Sequence, residues 1–106
     1  RRALGRSLFL LGAFEDGTLV GFVRCVGDGE HILYVQDLIV TPAMQRRGIG
    51  RALMRQVSER FAGVRQFLLI TDAEDAVSNA FYRAIGLKTM PGGCPCTAYF
   101  RDLPEA

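Results

Sequence analysis

One stretch of the chain has residue types and a spacing suited to holding an anion. It is Gln45-Arg46-Arg47-Gly48-Ile49-Gly50, entered from the apolar run Leu38-Ile39-Val40 and followed by Arg51. Glycines let the backbone come close to a ligand, and the first N–H groups of a helix opening here have no intrahelical partner. Those donors and the positive end of the helix dipole make a seat for a phosphate. Arg46, Arg47 and Arg51 add full positive charge around it. Two other phosphate motifs do not fit. The Walker pattern needs Gly, four residues, then Gly-Lys-Ser/Thr, and no such run exists here. The dinucleotide pattern needs a third glycine where Leu53 stands. The alternative for the hexad is a tight strand-to-helix turn with a solvated basic edge.

Charge and composition narrow the ligand classes. A net charge of +2 over 106 residues makes no case for general nucleic-acid binding. Between Arg46 and Arg65, however, six arginines face one acid, Glu59. That excess suits a small polyanion, although a solvated helix face reads the same way. Hydrophobic residues make up 49% of the chain, enough for one core and a single domain over residues 1–106. No apolar run is long enough to cross a membrane. Cys25, Cys94 and Cys96 are an odd set that suggests free thiols and a reducing cytoplasm rather than a disulfide framework. The Cys94-Pro95-Cys96 group has only His31 to join it, so no metal site is expected. The chain begins with Arg1 and shows no signal-peptide pattern, so its true start is expected upstream.

The elements that must position the hexad follow from the apolar pattern. Residues 7–14 and 19–26 read as an antiparallel pair joined at Glu15-Asp16-Gly17, and residues 32–40 as a nearly continuous apolar strand covered on both faces. Ile49, Leu53, Val57 and Phe61 recur every four residues on one helix face, with Gly63 at its end. Residues 67–71 read as a buried strand. Asp75 caps a second helix in which Val77, Phe81 and Ile85 share a face and Gly86 is the stop. Residues 87–90 read as a short strand, 91–93 open an irregular loop, and 97–101 read as a final strand. The order predicts an α/β (α+β) fold, with helices packed on a mixed, mostly antiparallel sheet. At its centre a right-handed βαβ crossover makes the third and fourth strands parallel neighbours. The strand edges could support a homodimer, but nothing in the sequence fixes one.

The hexad, placed after a strand and before a helix, resembles the acetyl-CoA pyrophosphate loop of the GCN5-related N-acetyltransferases (GNAT). A second stretch, Ser78-Asn79-Ala80-Phe81-Tyr82-Arg83-Ala84-Ile85-Gly86-Leu87, is similar to that family's later signature, with Leu87 in place of the commoner phenylalanine. The likeness covers roughly residues 7–90. It implies the GNAT acyl-CoA N-acyltransferase fold, in which a strand and two helices come before the first hairpin. Only residues 1–6 stand there in this chain, so that layer is expected upstream or missing.

The resemblance also implies a reaction, direct acetyl transfer from acetyl-CoA to a primary amine of a small molecule or a protein. By it, backbone amides of Gln45, Arg46, Arg47, Gly48, Ile49, Gly50 and Arg51 hold the pyrophosphate. Leu38, Ile39 and Val40 pair with the pantetheine arm as an added strand would, and an N–H among them polarises the thioester carbonyl. Asn79 touches the cofactor. Tyr82 protonates the departing thiolate, which is workable because a thiol titrates near 8.5 and a tyrosine near 10; otherwise Tyr82 packs beside Phe81. Asp37, a carboxylate in an apolar strand, is either a general base or a structural acid hydrogen-bonded to its surroundings. Tyr34 stands near the strand position where some members carry a catalytic glutamate, which points instead to a water relay or a substrate already partly neutral. Asp28, Glu30 and His31 either line an acceptor site or meet solvent. A non-catalytic acyl-CoA-binding or regulatory module on the same fold is the alternative function, and an interaction domain without ligand is a third.

Overall fold

A two-residue turn, Asp16-Gly17, with positive φ at both positions (51° and 79°), joins β1 (Phe9–Glu15) to β2 (Thr18–Gly27). Asp28 makes the next turn. Its Oδ1 accepts from the backbone N–H groups of Glu30, His31 and Ile32 at 2.9, 2.9 and 3.1 Å, which delivers the chain into β3 (Ile32–Val40). A short 3-10 turn at Pro42–Met44 leads to helix α1 (Ile49–Arg60), and β4 (Gln66–Leu69) follows. These elements, and helix α2 (Ala76–Ala84), are those of a computed structural model that describes residues 7–90, 92–93, 96–99 and 101. The chain forms two compact units, Arg1–Ile70 and Thr71–Ala106.

In the first unit the four strands lie in the order β1-β2-β3-β4, antiparallel except for the parallel β3–β4 pair. This is the mixed sheet with a βαβ crossover that the element order predicts. Helix α1 packs on β1, β2 and β3, and Leu53, Met54 and Val57 meet Val20, Val23, Cys25, Leu33 and Val35 in the core. Each such side chain contributes about 1.5–3 kcal/mol by leaving water. Phe61, at the end of α1, packs edge-on against Phe9 of β1, with ring centroids 5.5 Å apart.

Two bulges shape the sheet. In β2, Val20 is an extra residue relative to β1, where the register shifts between Ala13 and Phe14. In β3, Gln36 is extra: Cys25 lies opposite Val35, but Arg24 lies opposite Asp37. The second bulge corrects the expectation that β3 is covered on both faces. Leu33 and Val35 are buried, whereas Gln36 is exposed and Ile39 is 50% exposed. The inserted residue reverses the alternation, so Asp37 and Ile39 point away from the face that holds Leu33 and Val35.

In the second unit, Asp75 caps α2 by accepting from Ser78 N–H at 3.0 Å. The helix ends in a Schellman motif: Gly86 N–H donates to Arg83 O and Leu87 N–H to Tyr82 O, both at 3.0 Å. Gly86 has φ 102°, a left-handed conformation that only glycine takes cheaply. Val77 is 71% exposed, while Phe81 and Ile85 are partly buried. Two expectations need correction here. Residues 87–90 form no strand, because Leu87 N–H is spent on the helix end and Thr89 O is taken by Gly93 N–H at 2.7 Å. Thr97, Ala98, Tyr99 and Arg101 belong to no strand either, having no ladder partner among the described residues. Residues 1–6, Pro91, Cys94, Pro95 and Phe100 lie outside the described residues. Among the described residues no helix is long and apolar enough to cross a membrane.

Candidate functional site

The parallel β3–β4 ladder runs from Ile32 opposite Gln66 to Val35 opposite Leu69 and stops there. Beyond it, residues 37–40 of β3 pair with β2 alone among the described residues. One edge of β3 is therefore open at Leu38, Ile39 and Val40, a row of backbone groups able to pair with an extended ligand.

The open edge leads into the loop. Thr41 N–H donates to Val20 O at 2.9 Å, which anchors the strand end to the β2 bulge. Gln45 Nε2 then donates back to Val40 O at 3.0 Å. Arg46 and Gly48 take positive φ, 67° and 83°, so the loop turns tightly on its way into the helix. A Cβ on Gly48 would meet nothing within 4 Å, so its surroundings are open. Gly48 is the N-cap of α1, with no side-chain cap bond and no acid in the first turn. Ala52 N–H to Gly48 O, at 2.9 Å, is the first bond of the α ladder, and the N–H groups of Ile49, Gly50 and Arg51 precede it. Arg46, Arg47 and Arg51 are exposed around this terminus. The arrangement can hold a phosphate by dipole, amides and charge together.

In the second unit, Asn79 and Tyr82 lie one turn apart on α2. Asn79 Nδ2 donates to Asp72 O at 2.9 Å and to Asp75 O at 2.8 Å, clamping the loop before the helix. That leaves its Oδ1 as the group able to meet a ligand. Hydrogen bonds from the Ser78 backbone and hydroxyl hold the Asp75 carboxyl below its usual range. Burial, and secondarily the Asp75 charge, push the Tyr82 phenol above its ordinary value, so it keeps its proton at neutral pH. Its ring packs edge-on to Phe81 with centroids 5.2 Å apart.

Asp37 has a partner that the sequence reading did not name: Arg24 Nε donates to Asp37 Oδ2 at 2.7 Å. The available signal was Arg24 itself, the single charge in the otherwise apolar run of β2. Tyr34, half-buried, lies opposite Val26 and Leu68. His31 is exposed in the Asp28 turn.

A family model for the GNAT acetyltransferases matches residues 2–87. The chain belongs to the GNAT family. A GNAT acetyltransferase from Streptococcus pneumoniae TIGR4 superposes with a TM-score of 0.87 at 36% identity, over 98% of this chain and 77% of that one. Serotonin N-acetyltransferase 2 of rice chloroplasts is 33% identical over 84% of this GNAT chain and 44% of its own length. At the level of fold alone, the aminoglycoside N-acetyltransferase AAC(6')-Iy, solved with CoA, superposes with a TM-score of 0.71 at 19% identity, over 90% of this chain and 75% of that one. This GNAT chain spans 44% of the rice enzyme it matches.

Proposed function

We propose that the chain binds acetyl-CoA at the β3 edge and the loop after it, and takes part in direct acetyl transfer to a primary amine. The observation that carries this reading is the continuity of the open edge at Leu38, Ile39 and Val40 with the bare, basic N-terminus of α1. A CoA molecule needs both, one for its amide-bearing arm and one for its phosphates. The pyrophosphate lies on the amides from Gln45 to Arg51, with Arg46, Arg47 and Arg51 neutralising charge. The pantetheine arm adds to β3, and an N–H at Leu38, Ile39 or Val40 donates to the thioester oxygen as negative charge develops there.

In the reaction the acceptor ammonium first loses a proton to water. Its nitrogen attacks the thioester carbon and gives up a second proton to water, and the tetrahedral intermediate collapses by breaking the C–S bond. Tyr82 donates its phenolic proton to the departing sulfur, giving CoA-SH and the amide, and solvent reprotonates the tyrosine. Asn79 contributes its free carbonyl oxygen to the cofactor. Asp37, held by Arg24, contributes through position rather than proton transfer. The acceptor is an amine of a small molecule or a protein, and the buried free thiol of Cys25 suits a reducing cytoplasm.

The test is acetyl-CoA titration by calorimetry, followed by an amine panel monitored for released CoA. Saturable binding with CoA release on adding an amine supports the enzyme. Binding without release from any amine leaves the acyl-CoA-binding module, and no binding removes the reading.

A further inference from the structure

We infer that the Arg24–Asp37 ion pair is a register lock for the far half of β3, and that both residues position the acyl-CoA edge without touching the reacting atoms. The inference rests on the acyl-CoA reading of that edge. Up to Val35, β3 is held by strands on both sides. After the Gln36 bulge it is held by β2 alone, at the place where register is weakest. Without the inserted residue Arg24 would face Gln36. With it, Arg24 faces Asp37, and the two side chains meet at 2.7 Å while only 13% and 32% exposed.

A one-residue slip exchanges the two sheet faces. It also exchanges which backbone N–H groups point to β2 and which to the open edge. The shifted alignment at Leu38, Ile39 and Val40 therefore decides which amide is offered to a thioester. Val23 and Cys25, on either side of Arg24, are fully buried, so the cation sits on a rigid part of β2. A short charge-assisted bond from that point selects one alignment over its neighbours.

The experiment compares the wild-type chain with Asp37→Ala, Asp37→Asn, Arg24→Ala and the double alanine variant. Each is titrated with acetyl-CoA and with the adenosine bisphosphate fragment of CoA, which meets the loop but not the edge. Asp37→Ala should weaken acetyl-CoA binding about tenfold and leave the fragment within about twofold. Asp37→Asn keeps an acceptor for Arg24 Nε and should recover most of the affinity. The double variant should be no worse than either single one. Amide hydrogen exchange, which needs no ligand, should quicken at residues 38–40 in Asp37→Ala and stay slow at residues 33–35. Unchanged acetyl-CoA affinity and unchanged exchange in Asp37→Ala overturn the lock. So does an Asp37→Asn variant that binds acetyl-CoA normally yet is as inactive as Asp37→Ala, since that marks a general base. A wild-type chain that binds neither ligand removes the acyl-CoA reading and the positioning role, while exchange still decides whether the pair sets the register.

Discussion

The Gln45 side chain donates from Nε2 to the Val40 carbonyl at 3.0 Å, folding the loop back onto the strand it has just left. The first residue of the signature hexad thus shapes the loop, and the backbone after it is free to face a phosphate. Gln45→Ala should weaken acetyl-CoA binding about fivefold, the scale of one lost neutral hydrogen bond, with little change in melting temperature. Gln45→Glu removes the donor and adds a negative charge, so calorimetry should rank it below the alanine variant. Equal affinity in all three proteins would mean that the loop holds its shape without the amide.

Gly48 combines a φ of 83° with open space where a Cβ would go. Gly48→Ala therefore meets no steric wall, and its cost is the left-handed backbone, about 1–2 kcal/mol, readable as a lower melting temperature. Gly48→Glu adds a carboxylate at the phosphate seat and should abolish measurable acetyl-CoA binding while remaining folded. Retained affinity in the glutamate variant would take the phosphate away from this helix end.

Tyr82→Phe should lower turnover at least about a hundredfold, the usual scale for a lost general acid, with acetyl-CoA affinity unchanged. Burial and the Asp75 charge raise the phenol above its ordinary value. The group stays protonated, and active, until the pH exceeds the usual tyrosine range near 10. An alkaline limb in kcat well below that range would assign the acid elsewhere.

Acid should destabilise the fold partly through Asp28. Hydrogen bonds from Ile32, Glu30 and His31 lower its carboxyl to about 2. An unfolded aspartate titrates near 3.9, so between the two values the unfolded chain binds the extra proton. The stabilisation is complete above the unfolded value and is lost as pH falls toward 2. Urea unfolding of wild type and Asp28→Asn should therefore differ most near pH 5 and converge toward pH 2. A gap that stays constant over that range would show that the carboxylate charge does not matter.

The fold was legible where local chemistry decides it. Residues 32–40 match β3 end for end, the Ile49–Phe61 stripe marks α1, and Asp75 caps the second helix as its place before an apolar face suggests. The bulges were not legible. In a nearly continuous apolar strand the pattern carries little phase, so one added residue at Gln36 is not evident, and the encounter of Arg24 with Asp37 depends on that residue. Residues 87–90 misled for a related reason, since a strand needs a partner and four residues cannot name one. At the site, the anion seat could be read because it is made by backbone and glycine. Asn79, by contrast, spends its amide on the loop carbonyls of Asp72 and Asp75, a folded-state bond invisible in its residue type.

The Schellman closure at Gly86 has a consequence for which changes the second signature tolerates. Because Leu87 N–H returns to the carbonyl of Tyr82, the interval from tyrosine to glycine works as an angular setting. Adding or deleting one residue between them, with the helix stop kept in place, would swing the phenol by about 100° around the axis of α2. Substitutions at Arg83 and Ala84, both exposed, leave that angle alone. Drift in length here should therefore be far more damaging than drift in composition.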